Sequence, residues 1–350
     1  MKATPKWSEI SLRAQKRSED ESGREYRRMK IFSFLSLSCI AAALVAQTGD
    51  PVALRIEGLR AADVRLGGVL FRLAEANDDL CQKHAPLTGL IVHGSATYDA
   101  DIREAVIRHF DFESPLGVEG VVPGSPAALA GIRADDSIVA IDGVRVPAEH
   151  SRAAALAAID AARPTRPLTL TIRHAGRSRA VTVDPVRGCL AHVETDVSDD
   201  LNAATDGDTI QVDSALVNLV GDDDQALAAI VAHELAHIVL DHPDRLTAAH
   251  VSRGLFKGFG RNARLIKQTE EEADRLSVTL MTNAGYDPHA AVRYWLTYGP
   301  RLNDGGGLGS THQSWRERAA SIAKEVDRVS HETARPIVPS WLSSRNQPLR

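Results

Sequence analysis

The run from Asp222 to Pro243, DDDQALAAIVAHELAHIVLDHP, constrains this chain more than any other stretch. Drawn as a helix, it is apolar on almost every face. Asp222 to Asp224 supply an N-cap and compensate the helix dipole, and Pro243 forbids continuation. A helix that is apolar all round is a buried one, so His233, Glu234 and His237 lie where polar groups are costly without a partner. A metal ion is such a partner. Positions four apart stack on one helix face, so both imidazoles can reach one ion, while Glu234, rotated by about 100°, can hold an activated water.

A catalytic zinc site needs three protein ligands and one open position. Ile238, Val239, Leu240 and Asp241 follow His237 without the glycine and histidine of the longer metzincin motif, so a carboxylate is required. Gln268-Thr269-Glu270-Glu271-Glu272-Ala273-Asp274 opens a helical segment whose expected C-cap is Gly285. Glu270 and Asp274 share a face, which lets Glu270 ligate while Asp274 orients a ligand imidazole from behind. Thr269 with Glu272 fits a capping box, and Glu271 and Glu272 read as a solvated helix start.

Residues 1–46 are set aside as an N-terminal extension and signal peptide. Arg27, Arg28 and Lys30 precede IFSFLSLSCIAAALVA, a cationic region followed by an apolar run of about 16 residues and small residues. Met29 is an alternative start, cleavage is expected near Ala46, and the expected location is the periplasm or cell envelope. A lipid anchor through Cys39, at the inner face of an outer membrane, and a twin-arginine reading of Arg27-Arg28 are the alternatives. No later segment reads as a membrane span. Export leaves Cys81 and Cys189, and an even pair in an oxidising compartment is expected to form a disulfide. The net charge of −5 excludes binding to nucleic acid through bulk electrostatics.

The mature chain divides at changes of pattern. Residues 47–113 mix helical spacing with turns and carry no obvious catalytic motif. Within 114–186, Leu168, Leu170 and Ile172 alternate with polar residues as in a half-buried strand, and Asp142-Gly143 is a hairpin signal. SPLGVEGVVPGSPAALAGI, Asp136 and Ile141-Asp142-Gly143 resemble a PDZ domain of the bacterial protease-associated kind. That resemblance implies that Leu116, Gly117 and Val118 form the loop receiving a peptide's terminal carboxylate, with the next strand open to β-augmentation. Residues 187–350 are mostly helical by spacing.

LNAATDGDTIQVDSALVNLV, the His233–His237 run, EEEADRLSVTLMTNAGYDP and THQSWRERAASI together resemble the gluzincin-type zinc metallopeptidase family that contains HtpX and the CAAX prenyl endopeptidases, in its soluble exported form. The resemblance implies an α+β fold, a mostly helical zincin-type peptidase domain interrupted by a β-rich PDZ domain. It implies zinc held by His233, His237 and Glu270, with Glu234 as general base. It maps the family's Thr-His-Pro motif and its arginine onto Thr311, His312 and Arg318, with Gln313 replacing proline, and so suggests His312 and Arg318 as oxyanion stabilisers. His242 also matches and reads as structural. The expected function is endopeptidase action on polypeptides, selected through C-terminal tails at the PDZ groove, in envelope quality control. The alternative is a non-catalytic peptide-binding or chaperone-like protein with a structural metal. Glu234 separates the two, since a structural site has no need of a base.

Overall fold

The computed structural model describes residues 51–251, 260–302 and 313–349; the readings of the leader, Cys39 and His312 lie outside the described residues. Helix α1 (Pro51–Ala76) buries Ala62, Leu66, Val69, Leu70 and Leu73, a spacing of three and four that makes one apolar stripe. A 3-10 turn (Asp78–Leu80) and Cys81 lead to β1 (His84–Leu87) and β2 (Leu90–Gly94). Then follow α2 (Arg103–His109), β3 (Leu116–Val121), α3 (Pro126–Leu129), β4 (Ser137–Ile141), β5 (Val144–Arg145), α4 (Ser151–Asp160), β6 (Leu168–His174) and β7 (Arg177–Val183).

These strands form one sheet in the order β2-β3-β4-β6-β7, with β5 paired to β4. Leu116, Val118, Ile138, Leu168, Leu170 and Ile172 form its fully buried core. Tight turns hold it together, since Asp142 and Gly143 before β5 and Ala175 and Gly176 before β7 all have positive φ, as type I′ hairpins require. The sheet takes in β2, upstream of residue 114, because that strand has two apolar faces. Leu90 and Val92 join the core of this lobe, while Ile91 packs on α1 so closely that a Cβ at Gly67 would lie 2.7 Å from its Cδ1. A short apolar run cannot announce both partners.

Strand β8 (Val186–Cys189) returns antiparallel to β1, with His84 opposite Cys189 and Leu87 opposite Val186. The Cys81–Cys189 disulfide closes the same junction. The segments flanking the β-rich lobe are therefore zipped at its base.

Beyond it, β9 (His192–Asp196), β10 (Ala203–Asp206) and β11 (Thr209–Asp213) form a second sheet, with β11 parallel to β9 and antiparallel to β10. Among the described residues the helices that follow are α5 (Ser214–Val220), α6 (Asp224–Val239), α7 (His242–Ala248), α8 (Gly260–Asn283), α9 (His289–Tyr298) and α10 (Trp315–Ser330). The architecture is α+β, a helical body with a β-rich lobe.

Helix α6 is the axis of the helical body. Asp223 caps it by accepting from the amides of Gln225 and Ala226 at 3.0 Å, and residues from Ala226 to Val239 bury almost all its faces against α1, α8 and α9. It stops after Leu240, where Asp241 adopts φ +53° and α7 starts in a new direction with His242. Helix α8 corrects the expected capping box. The helix is already under way at Gly260, so Thr269 is buried in its interior with its hydroxyl donating to the Ile266 carbonyl at 2.7 Å. Gly285 ends it at φ +70°, with its amide on Thr282 O and that of Tyr286 on Met281 O, a Schellman arrangement. Among the described residues no helix is long and apolar enough to cross a membrane.

Candidate metal centre and its surroundings

Helix α6 presents His233 and His237 one turn apart, with their Nε2 atoms 3.2 Å from each other. Helix α8 crosses α6 and brings Glu270 to the same point: Oε2 lies 3.4 Å from His233 Nε2 and Oε1 3.7 Å from His237 Nε2. Bonds of about 2.0–2.2 Å to a tetrahedral zinc-sized ion would place neighbouring ligand atoms about 3.3–3.6 Å apart, so the trio fits such an ion. The electrostatics agree. Burial opposes charge on His233, yet the Asp274 and Glu270 carboxylates outweigh it and push the imidazole up to about 10.

Behind His233 stands Asp274, its Oδ1 3.0 Å from Nδ1. Burial would raise this carboxyl, but Arg318 and the His233 hydrogen bond hold it below the usual range. Arg318 donates from Nε to Asp274 Oδ2 at 2.8 Å and from Nη2 to Oδ1 at 2.6 Å, and its guanidinium stacks 3.9 Å over the Trp295 ring. Its Nη2 also lies 3.7 Å from Glu270 Oε2, and the residue lines the cavity over the three converging groups. Its fork is clamped on Asp274 behind the ligands, because a buried carboxylate on α8 demands a bidentate partner. Arg318→Met should strand that carboxylate, lowering stability by about 3–5 kcal/mol together with metal affinity. Calorimetry and metal titration would check this, and unchanged stability with reduced turnover alone would favour the transition-state role.

Glu234 is 7% exposed and is not one of the three converging groups. Its Oε2 accepts from Thr205 Oγ1, on β10, at 2.9 Å. Nothing in the spacing of the sequence singled out Thr205, since its partner lies 29 residues away. A cavity of about 420 Å³ opens over this group, bordered by β10, α7, α8, α9 and α10 and including Tyr294 and Trp295.

Other expected residues fall elsewhere. His242 is buried and contacts His237, and burial holds its pKa down to about 4. Glu272, read as solvated, instead accepts from Arg245 at 2.7 Å and from Gln268 at 2.8 Å. Glu271 accepts from Gln313 and stays half-exposed.

Leu116, Gly117 and Val118 are corrected from a loop to the interior strand β3. Their ladder partners are Gly94, His93 and Val92 on β2, Gly117 also faces Ser137 on β4, and the Val118 amide donates to Asp136 O at 2.7 Å. The Leu116 amide donates to Ser114 Oγ at 3.3 Å, so these residues sit in a paired strand and not in an open loop. The outer strand here is β2, beside α4, where Arg152 donates from Nε to Val92 O at 3.2 Å and pairs through Nη1 with Glu194 on β9 at 2.7 Å.

A buried helix bearing two imidazoles and a glutamate, crossed by a helix bearing a carboxylate, forms a candidate metal centre, here joined to the β-rich lobe. Residues 191–267 match the model of peptidase family M48, and residues 117–174 match that of a PDZ domain. No curated protein matches the chain. One solved structure, "HtrA-type protease AlgW with decapeptide", overlaps 30% of this chain and 30% of its own, at 19% identity and a TM-score of 0.24. The matched region thus spans less than a third of that protein.

Proposed function

We propose that the chain is an exported, zinc-dependent endopeptidase of the cell envelope that hydrolyses peptide bonds in misfolded or C-terminally exposed polypeptides. The observation that carries this is the convergence of His233, His237 and Glu270 beside Glu234, a carboxylate outside that trio, under an open cavity. A structural metal has no use for Glu234.

His233, His237 and Glu270 would hold the zinc, which supplies Lewis acidity toward a scissile carbonyl and acidifies water. Glu234 takes a proton at the oxygen not bonded to Thr205 and returns it to the leaving amine. Thr205 keeps the Glu234 carboxylate in one rotamer, and Asp274 with Arg318 keeps His233 in the tautomer whose Nε2 lone pair faces the ion. The oxyanion role is assigned to His312 on the family resemblance.

The PDZ lobe selects substrate tails at the β2 edge facing α4, and not at β3. The leader-like segment and the Cys81–Cys189 bond support export. Removing metal with 1,10-phenanthroline should abolish cleavage of unfolded casein, and stoichiometric zinc should restore it. Cleavage that persists in metal-free protein would overturn the assignment.

A further inference from the structure

Each ligand imidazole must present its Nε2 lone pair to the ion, which requires its proton to sit on Nδ1 and to have an acceptor there. For His233 the acceptor is Asp274. Among the described residues no carboxylate is paired with His237 Nδ1. Its Nδ1 instead meets Nδ1 of His242 at 2.9 Å, and Nε2 of His242 lies 3.2 Å from Glu272 Oε2. His242 is 1% exposed and reaches this place because Asp241, at φ +53°, turns the chain back on α6.

We propose that His242 is a positioning residue for His237, handing on the orienting hydrogen bond of Glu272 so that His237 offers Nε2 to the metal. This inference rests on the reading of His233, His237 and Glu270 as metal ligands. The proton pattern follows from the far end of the chain. Glu272 is an acceptor for Arg245 Nη1 at 2.7 Å and for Gln268 Nε2 at 2.8 Å, and as an ionised carboxylate it has no proton to give. The proton of neutral His242 must then sit on Nε2, its Nδ1 is an acceptor, and His237 donates to it from Nδ1. Reversing His242 would set its Nε2 lone pair against the Glu272 carboxylate, acceptor against acceptor, and would require the His237 proton to sit on Nε2, between the ligands.

The two ligand imidazoles are thus oriented by parallel devices, each ending in a carboxylate clamped by an arginine. One is direct, Asp274 with Arg318. The other is one imidazole longer, Glu272 with Arg245 acting through His242. The extra ring is needed because α8 passes close behind His233, whereas Glu272, two residues before Asp274 and rotated by about 200° on the helix, faces α7. The sequence separation of 30 residues between His242 and Glu272 hides the pair from any reading of local spacing.

The test uses the full chain and zinc alone, with no substrate, so that it stands apart from proteolysis. In a competition titration against a chelating dye, His242→Phe should bind zinc about 10–100-fold more weakly than wild type. His242→Asn, which keeps an acceptor near the Nδ1 position, should recover most of that loss. Metal-free melting temperatures of both variants separate this from a general loss of packing. In the zinc-loaded wild type, long-range ¹H–¹⁵N spectra of ¹⁵N-histidine protein should show the Nε2–H tautomer for His242 and Nδ1–H for His237. That measurement stands even if His242→Phe fails to fold. Wild-type zinc affinity in His242→Phe, equal losses in the Phe and Asn variants, or an Nδ1–H tautomer at His242 would each overturn the proposal. A wild type that binds no zinc would overturn it together with the metal site, whereas a zinc-loaded wild type that cleaves nothing would overturn only the peptidase reading.

Discussion

Glu234→Gln should retain zinc at the wild-type stoichiometry while cleavage of unfolded protein falls by about a hundred- to ten-thousand-fold. The two halves of this result have separate causes. On the proposed reading zinc stays because His233, His237 and Glu270 would hold it, and Glu234 lies outside that trio. The amide oxygen of glutamine can still accept from Thr205 Oγ1, so the 2.9 Å contact that ties β10 to α6 survives and the fold is undisturbed. Turnover falls because an amide cannot take up the proton of an attacking water or deliver it to the leaving nitrogen. Metal analysis beside a casein assay reads both. Wild-type turnover in the variant would mean that the base lies elsewhere, and loss of zinc would make Glu234 a ligand.

The second large effect concerns stability. Replacing Cys81 and Cys189 by alanine should lower stability by about 2–4 kcal/mol. The bond spans 108 residues and closes the base of the whole β-rich lobe, and in the chain-entropy account a loop near 100 residues contributes at most about 4.7 kcal/mol. The effect should fall short of that ceiling, because the β1–β8 ladder from His84↔Cys189 to Leu87↔Val186 already draws the two segments together. Both sulfurs are buried, at 8% and 1% exposure, so alanine also removes some apolar contact without introducing a stranded polar group. At about 2–4 °C per kcal/mol for a chain of this size, the melting temperature should drop on the order of 10 °C. An unchanged melting curve in calorimetry would show that the ladder alone holds the junction.

Arg318 and Glu272 show how differently the site's parts are written in the chain. His233, Glu234 and His237 are legible because helical geometry turns a spacing of four into a shared face. Glu270 and Asp274 are legible for the same reason on a second helix. Arg318 is legible only through family resemblance, and its bidentate hold on Asp274 and its stacking on Trp295 appear only when α10 packs against α8 and α9. Glu272 was read as solvated because three consecutive glutamates on an isolated helix belong in water. Arg245 and His242 approach it from another helix and change its environment. Thr205 carried no signal, since a threonine in a strand is ordinary until its hydroxyl is seen on Glu234.

The sequence by itself determined the elements whose causes are local. These include the buried helix around His233, capped by Asp223 and stopped before Pro243, the alternation of Leu168, Leu170 and Ile172, and the tight turn at Asp142-Gly143. Apolar periodicity, capping and backbone sterics act over a few residues, so a few residues suffice to read them. Tertiary structure decided which strand is outermost in the sheet, where α8 begins, and what stands behind each ligand. Leu116–Val118 carries the pattern of a strand in either position, and whether its amides are open or paired depends on β2, about 25 residues upstream. The orienting partners of the metal ligands likewise come from α7, α8 and α10, and which carboxylate meets which arginine or histidine is fixed only when those helices pack against α6.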